Sequence, residues 1–199
     1  WEECKASANE NVRYFYTPKH DYMDDAYYED FDIQCWNIGD AKSEEFKHWS
    51  AIGYMFADKL QKKLGCTIGV IGCNWGGTSA SAWMSQKYLE KDSDLHTYIE
   101  DQENAVKGKS VEQQIKEYND YLKRNDEWQQ KCNNLYATVP GIEWDEIQKR
   151  IGQCEWPGPK ACNNPYRPCG LYETMLMRVC PYSLKGFIYY QGETDDSKA

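Results

Sequence analysis

Two short stretches hold residues whose types and order could do chemistry on a polar group. In NWGGTSASAW (74–83), the pair Gly76–Gly77 comes shortly after the apolar run TIGVIG (67–72); in KGFIYYQGETD (185–195), Gln191 ends a second apolar run. A glycine pair behind a strand is either a plain tight turn or a place where backbone N–H groups come close to a ligand. Glycine N–H groups at one turn and a side-chain amide at the other are also the parts of an oxyanion hole, since a tetrahedral acyl intermediate needs preorganised donors. Gly76, Gly77 and Gln191 are therefore the candidate catalytic groups. Trp75 beside the glycines and Arg167 in the aromatic, amide-rich stretch NPYRP are candidate substrate contacts.

Strands must deliver both turns to one place. In open α/β sheets the ligand crevice lies beyond the carboxyl ends of the strands. TIGVIG reads as a strand buried on both faces and KGFIYY as a second one, so the two are expected to run parallel with Gly77 and Gln191 facing the same crevice. NVRYFYTP (11–18) alternates Val12, Tyr14 and Tyr16 against Asn11, Arg13 and Phe15 and stops at Pro18, as a strand does, and FDIQCW holds a further short strand. Between them, Phe46, Trp49, Ile52 or Gly53, Phe56, Leu60 and Leu64 fall on one helical stripe with Ser43 as N-cap and Gly65 as stop. Helix followed by buried strand is α/β grammar.

Residues 85–152 are charged throughout and short of apolar residues, and they read as a helical insertion in a core made of 1–84 and 153–199. Ser110 and Gln113 form a capping box before a helix over about 111–131, with Val111, Ile115, Tyr118 and Leu122 facing inward. IEWDEIQKRIG is a shorter helix stopped at Gly152, and LYETMLMRVCP a short one with Leu171, Met175 and Val179 inward.

At 199 residues the chain fits one domain, and 23 basic against 32 acidic residues give a net charge of −9 with no basic run, which argues against a nucleic-acid partner. No run is long and apolar enough to span a membrane. The nine cysteines are not spaced as CxxC pairs, so a zinc site is unsupported; disulfides in the 154–180 region and reduced buried thiols are both open. The chain is rich in aromatic residues, with 16 Tyr, 8 Trp and 5 Phe, many beside carboxylates and amides. Such rings either pack as core or hold sugars.

FKHWSAIGYMFADKLQKKLGCTIGVIGCNWGGTSASAW, taken with GLYETMLMRVCPYSLKGFIYYQGETD, resembles the sialate O-acetylesterase family within the SGNH (GDSL-like) hydrolases. Members carry a Ser-Ala-Val-Gly-Tyr-like helix, a Trp-Gly-Gly-Thr turn and a Trp-Tyr-Gln-Gly-Glu turn in that order. The likeness covers most of 43–83 and 165–196, and Tyr189 stands where the family usually has tryptophan. The resemblance implies a flavodoxin-like three-layer sandwich with a helical insertion and an enzyme that removes acetyl groups from sugar hydroxyls through an acetyl-serine, with no cofactor and no metal. It gives Gly76 or Gly77 and Gln191 the oxyanion role, and Glu193 and Thr194 a bracing or substrate-contacting one. The family's Gly-Gln-Ser-Asn-Met and Asp-x-x-His segments have no counterpart in these residues, and the resemblance places them before residue 1 and after residue 199. His20, His48 and His96 do not fit the family order, DSDLH (92–96) reads as a solvated loop, and Ser79 and Ser81 as helix-start hydroxyls. The competing expectation is a carbohydrate-binding protein of the same fold that performs no chemistry.

Overall fold

The computed structural model describes residues 8–30, 35–190 and 194–195. Three strands form its sheet: β1 (Val12–Tyr16), β2 (Trp36–Ile38) and β3 (Ile68–Gly72), in the order β2-β1-β3. β2 runs antiparallel to β1, and β3 runs parallel to it from Val12 opposite Ile68 to Tyr16 opposite Gly72. The alternation expected of 11–18 is real: Val12 and Tyr14 are buried, although Tyr16 is exposed at the strand's end. A short helix, α1 (Asp25–Glu29), lies between β1 and β2, and Cys35, part of the run expected to be a strand, precedes β2.

The main core is aromatic. Val12, Tyr14, Phe46, Trp49, Tyr54 and Ala57 pack together, with Tyr14 stacked on Trp49 at 5.0 Å and Phe46 edge-on to Trp49 at 4.9 Å. Helix α2 (Ala51–Leu64) supplies Tyr54 and Ala57 and packs against β1 and β3. Its N-cap is Ser50, whose hydroxyl accepts from the Gly53 N–H at 3.1 Å, and not Ser43. The expected single stripe is split because Trp49 is extended (φ −68°, ψ 151°), which separates a 3₁₀ turn at Glu45–His48 from α2 and changes the phase. The buried face of α2 is Gly53, Tyr54, Ala57 and Asp58, while Ile52, Phe56 and Leu64 are exposed.

Two expectations about strands are corrected. β3 is buried only at Gly72 and is elsewhere half-buried or exposed, because it pairs with β1 alone among the described residues and one edge stays open. Residues 185–190 form no strand: Phe187 is 82% and Tyr190 83% exposed, and the segment lies off the sheet. A short apolar run becomes a strand through its pairing partners, and local composition cannot supply them.

The polar middle of the chain is helical as expected, with α3 (Gln86–Leu89), α4 (Ser93–Val106), α5 (Val111–Thr138) and α6 (Trp144–Ile151). DSDLH is not a loop: Asp92 caps α4 by accepting from the Asp94 and Leu95 N–H groups. Ser110 caps α5 as expected, but the Gln113 amide reaches forward to Glu117 at 3.2 Å and does not close the box. The buried face of α5 is Gln114, Tyr118, Tyr121 and Cys132; of the expected stripe Tyr118 is buried and Ile115 half-buried, while Val111 and Leu122 are exposed. This phase follows the contacts, since Tyr118 and Tyr121 pack against Ala161 of the following loop. A π-helical turn (Tyr172–Leu176) and α7 (Met177–Val179) complete the order, with Leu171 and Met175 buried against Ala82.

Candidate active site

The Gly-Gly turn leaves β3 at its carboxyl end. Gly77 has φ +77°, a left-handed conformation that a side chain disfavours, whereas a Cβ on Gly76 would meet nothing within 4 Å. The turn is closed by Thr78, fully buried, whose hydroxyl donates to the Trp75 carbonyl at 2.7 Å and accepts from the Trp83 indole N–H at 2.9 Å. Thr78 thus fixes the peptide groups of residues 75–78 from beneath. Lys19 lies over one face of the Trp75 ring, 5.6 Å from its centroid.

After the turn, Ser79 and Ser81 share a hydroxyl–hydroxyl bond of 2.6 Å, and a 3₁₀ turn at Ala80–Trp83 begins. The Ala80 N–H donates to Asp195 Oδ2 at 2.9 Å, which brings the end of the QGETD stretch beside the Gly-Gly turn. Gln191 and Glu193 lie outside the described residues. Thr194 is described and half-buried. Asp195 carries no obvious signal in the sequence beyond its place in an acidic tail.

The loop before the π-helical turn forms the other wall. A Cβ on Gly77 would stand 3.5 Å from the Tyr166 hydroxyl, so that ring faces the turn directly. Cys169 N–H donates to the Ser81 carbonyl at 2.9 Å and ties this loop to the 3₁₀ turn. Arg167 is only 15% exposed and gives both terminal nitrogens to Glu173 Oε2 at 3.2 Å, while its Nε has no acceptor among the described residues. Burial raises the carboxyl of Asp21, and Asp24 raises it further, against its own backbone N–H, His20 and Arg167, which lower it. His20 contacts Asp30 Oδ2 at 2.9 Å and meets Tyr27 edge-on at 5.5 Å. The His20–Asp30 pair was invisible in the sequence because ten residues separate its members.

Burial pushes Cys73 and Cys169 up to about 11, so both are protonated at neutral pH. Among the described residues, no group of three His, Cys, Asp or Glu side chains is arranged to hold a metal ion, and no helix is long and apolar enough to cross a membrane. The turn thus has open space at Gly76 and the Tyr166 ring against Gly77.

No protein-family model matches the chain, and no curated protein matches its sequence. The fold is similar to part of a carbohydrate acetylesterase from Xanthomonas citri, with a TM-score of 0.51 and 20% identity over 98% of this chain and 28% of that one. The chain therefore spans about 28% of that neighbour's length.

Proposed function

We propose that this chain is part of a serine-dependent carbohydrate O-acetylesterase of the sialate O-acetylesterase type, on an SGNH-like three-layer fold. The observation that carries the reading is the open Gly76–Gly77 turn at the carboxyl end of β3, joined through Ala80 and Asp195 to the stretch that follows Gln191. The likeness in fold to a carbohydrate acetylesterase is consistent with it. In this reading a serine outside these residues attacks the acetyl carbonyl, a histidine held by an aspartate takes its proton, and water later releases acetate from the acetyl-enzyme. The developing oxyanion is held by N–H groups of Gly76 or Gly77 and by the Gln191 amide, which are neutral donors fixed before the reaction begins. Trp75, Arg167, Glu193 and Thr194 contact or brace the sugar, and the helices of 85–152 shape its access. The substrate is an O-acetylated carbohydrate, and the mechanism requires neither cofactor nor metal.

Acetate release from an O-acetylated oligosaccharide and from an aryl acetate tests the reading. The 199-residue chain is expected to be inactive and a longer chain carrying the serine and Asp–His segments active. In the longer chain, Gln191→Ala is expected to lower turnover by about 10²–10³. Equal turnover by the two chains would mean that the nucleophile lies within these residues, and no turnover by the longer chain would leave a binding protein.

A further inference from the structure

Beside the Gly-Gly turn stands a pair of rings at right angles. Trp156 and Tyr166 have centroids 5.1 Å apart and an interplanar angle of 90°, and Tyr166 is the residue whose hydroxyl faces Gly77. Trp156 is 59% exposed, so the corner they make opens to solvent next to the turn.

The loop that carries the corner is tied at several points. Asn164 clamps its loop from within, donating to the Pro159 carbonyl at 2.9 Å and accepting from the Tyr166 N–H at 2.8 Å. Helix α5 holds it from outside: Gln114 Oε1 accepts from the Cys162 N–H at 3.0 Å, and Arg124 grips Glu155, the neighbour of Trp156, through two bonds of 3.0 and 2.9 Å. Gly158 lies flat on Tyr121, where a Cβ would come within 2.4 Å of the ring. An exposed tryptophan held on both sides is suited to binding because little conformational freedom is left to lose.

We infer that Trp156 and Tyr166 form the wall that receives the sugar ring, Trp156 stacking on the apolar face of a pyranose and Tyr166 offering its hydroxyl to the ring's polar rim beside Gly77. This assignment rests on the carbohydrate reading above. It makes the two residues determinants of which sugar is accepted, distinct from the groups that hold the acetyl oxygen.

Calorimetric titration of the 199-residue chain with acetylated xylo-oligosaccharides, and with the same material after alkaline deacetylation, tests the wall. Trp156→Ala is expected to weaken binding about tenfold and Trp156→Phe by no more than about threefold, as a planar ring is kept. Trp144→Ala, at an exposed tryptophan of α6, is expected to leave binding unchanged, and circular dichroism checks that each variant is folded. Binding by Trp156→Ala at the level of the unsubstituted chain, or no binding of either glycan, would overturn the wall. Equal affinity for both glycans with loss in Trp156→Ala supports the wall and counts against acetyl recognition. Acetyl-dependent binding that ignores Trp156→Ala supports the esterase reading and removes the wall.

Discussion

Gly77 combines a left-handed backbone with an open neighbourhood, so its replacement separates two effects. A Cβ there would make only ordinary contact with Tyr166, and the cost of Gly77→Ala is the backbone's own, about 1–2 kcal/mol, read as a loss of unfolding free energy in urea. Gly76→Ala, with empty space around it, is expected to cost much less. Asp21 gives a pH-dependent test. Its carboxyl is raised above the ordinary value of 3.8 chiefly by burial, so between that value and its folded one the native state holds more protons than the unfolded chain. Stability from this group is present at acid pH and is lost as pH rises through that window. Asp21→Asn is therefore expected to raise the melting temperature at pH 7 and to have no effect below about pH 3.8; a gain confined to acid pH would reverse the sign. Asp58 works the other way: burial opposes its charge, but bonds from Lys62 and Asn9 outweigh burial and hold it low, so its contribution is lost as pH falls.

At the scale of elements, α5 is both a helix and the anchor of the loop behind it. Proline at Ile115 removes a helical hydrogen bond and crowds the preceding turn, at a cost of about 3 kcal/mol or more. Limited proteolysis of Ile115→Pro should expose sites in 111–138 and in the 157–170 loop while residues 12–72 stay protected; loss of all protection would make α5 part of the main core. The sequence made α5 legible through Ser110 and its length, and β1 through the alternation of Val12 and Tyr14, since both signals are local. It gave Tyr118 its inward place but put Leu122 inward instead of Tyr121, because Tyr121 meets the later loop, a contact set by residues some forty positions away. It misread 185–190 for a similar reason: Phe187, Ile188, Tyr189 and Tyr190 have strand composition, yet no strand lies beside them among the described residues. At the candidate site, the Gly-Gly turn and Thr78 follow from strand, glycine pair and hydroxyl in one stretch. Tyr166 and Asp195 come from distant stretches that only folding brings to that turn, and Gln191 lies outside the described residues.

At the scale of the whole molecule, the run from Tyr182 to Tyr190 is exposed and one edge of β3 is open among the described residues. Phe187 to Tyr190, beyond Lys185, are exposed and carry no charge, and residues of strand type so placed favour pairing between molecules. The 199-residue chain is expected to self-associate with concentration in sedimentation experiments, and the double variant Phe187→Lys/Tyr190→Lys to remain monomeric at the same loading. Association unchanged by that variant would move the contact elsewhere. The attachment of the 157–170 loop has a different kind of consequence. Residues 75–78 hang from the sheet and from Thr78, whereas Trp156 and Tyr166 hang from α5 through Gln114, Tyr121 and Arg124. The two halves have separate main anchors and meet at one bond, Cys169 N–H to the Ser81 carbonyl, so a changed helix would re-aim the rings first and reach the peptide groups of the turn only through that link.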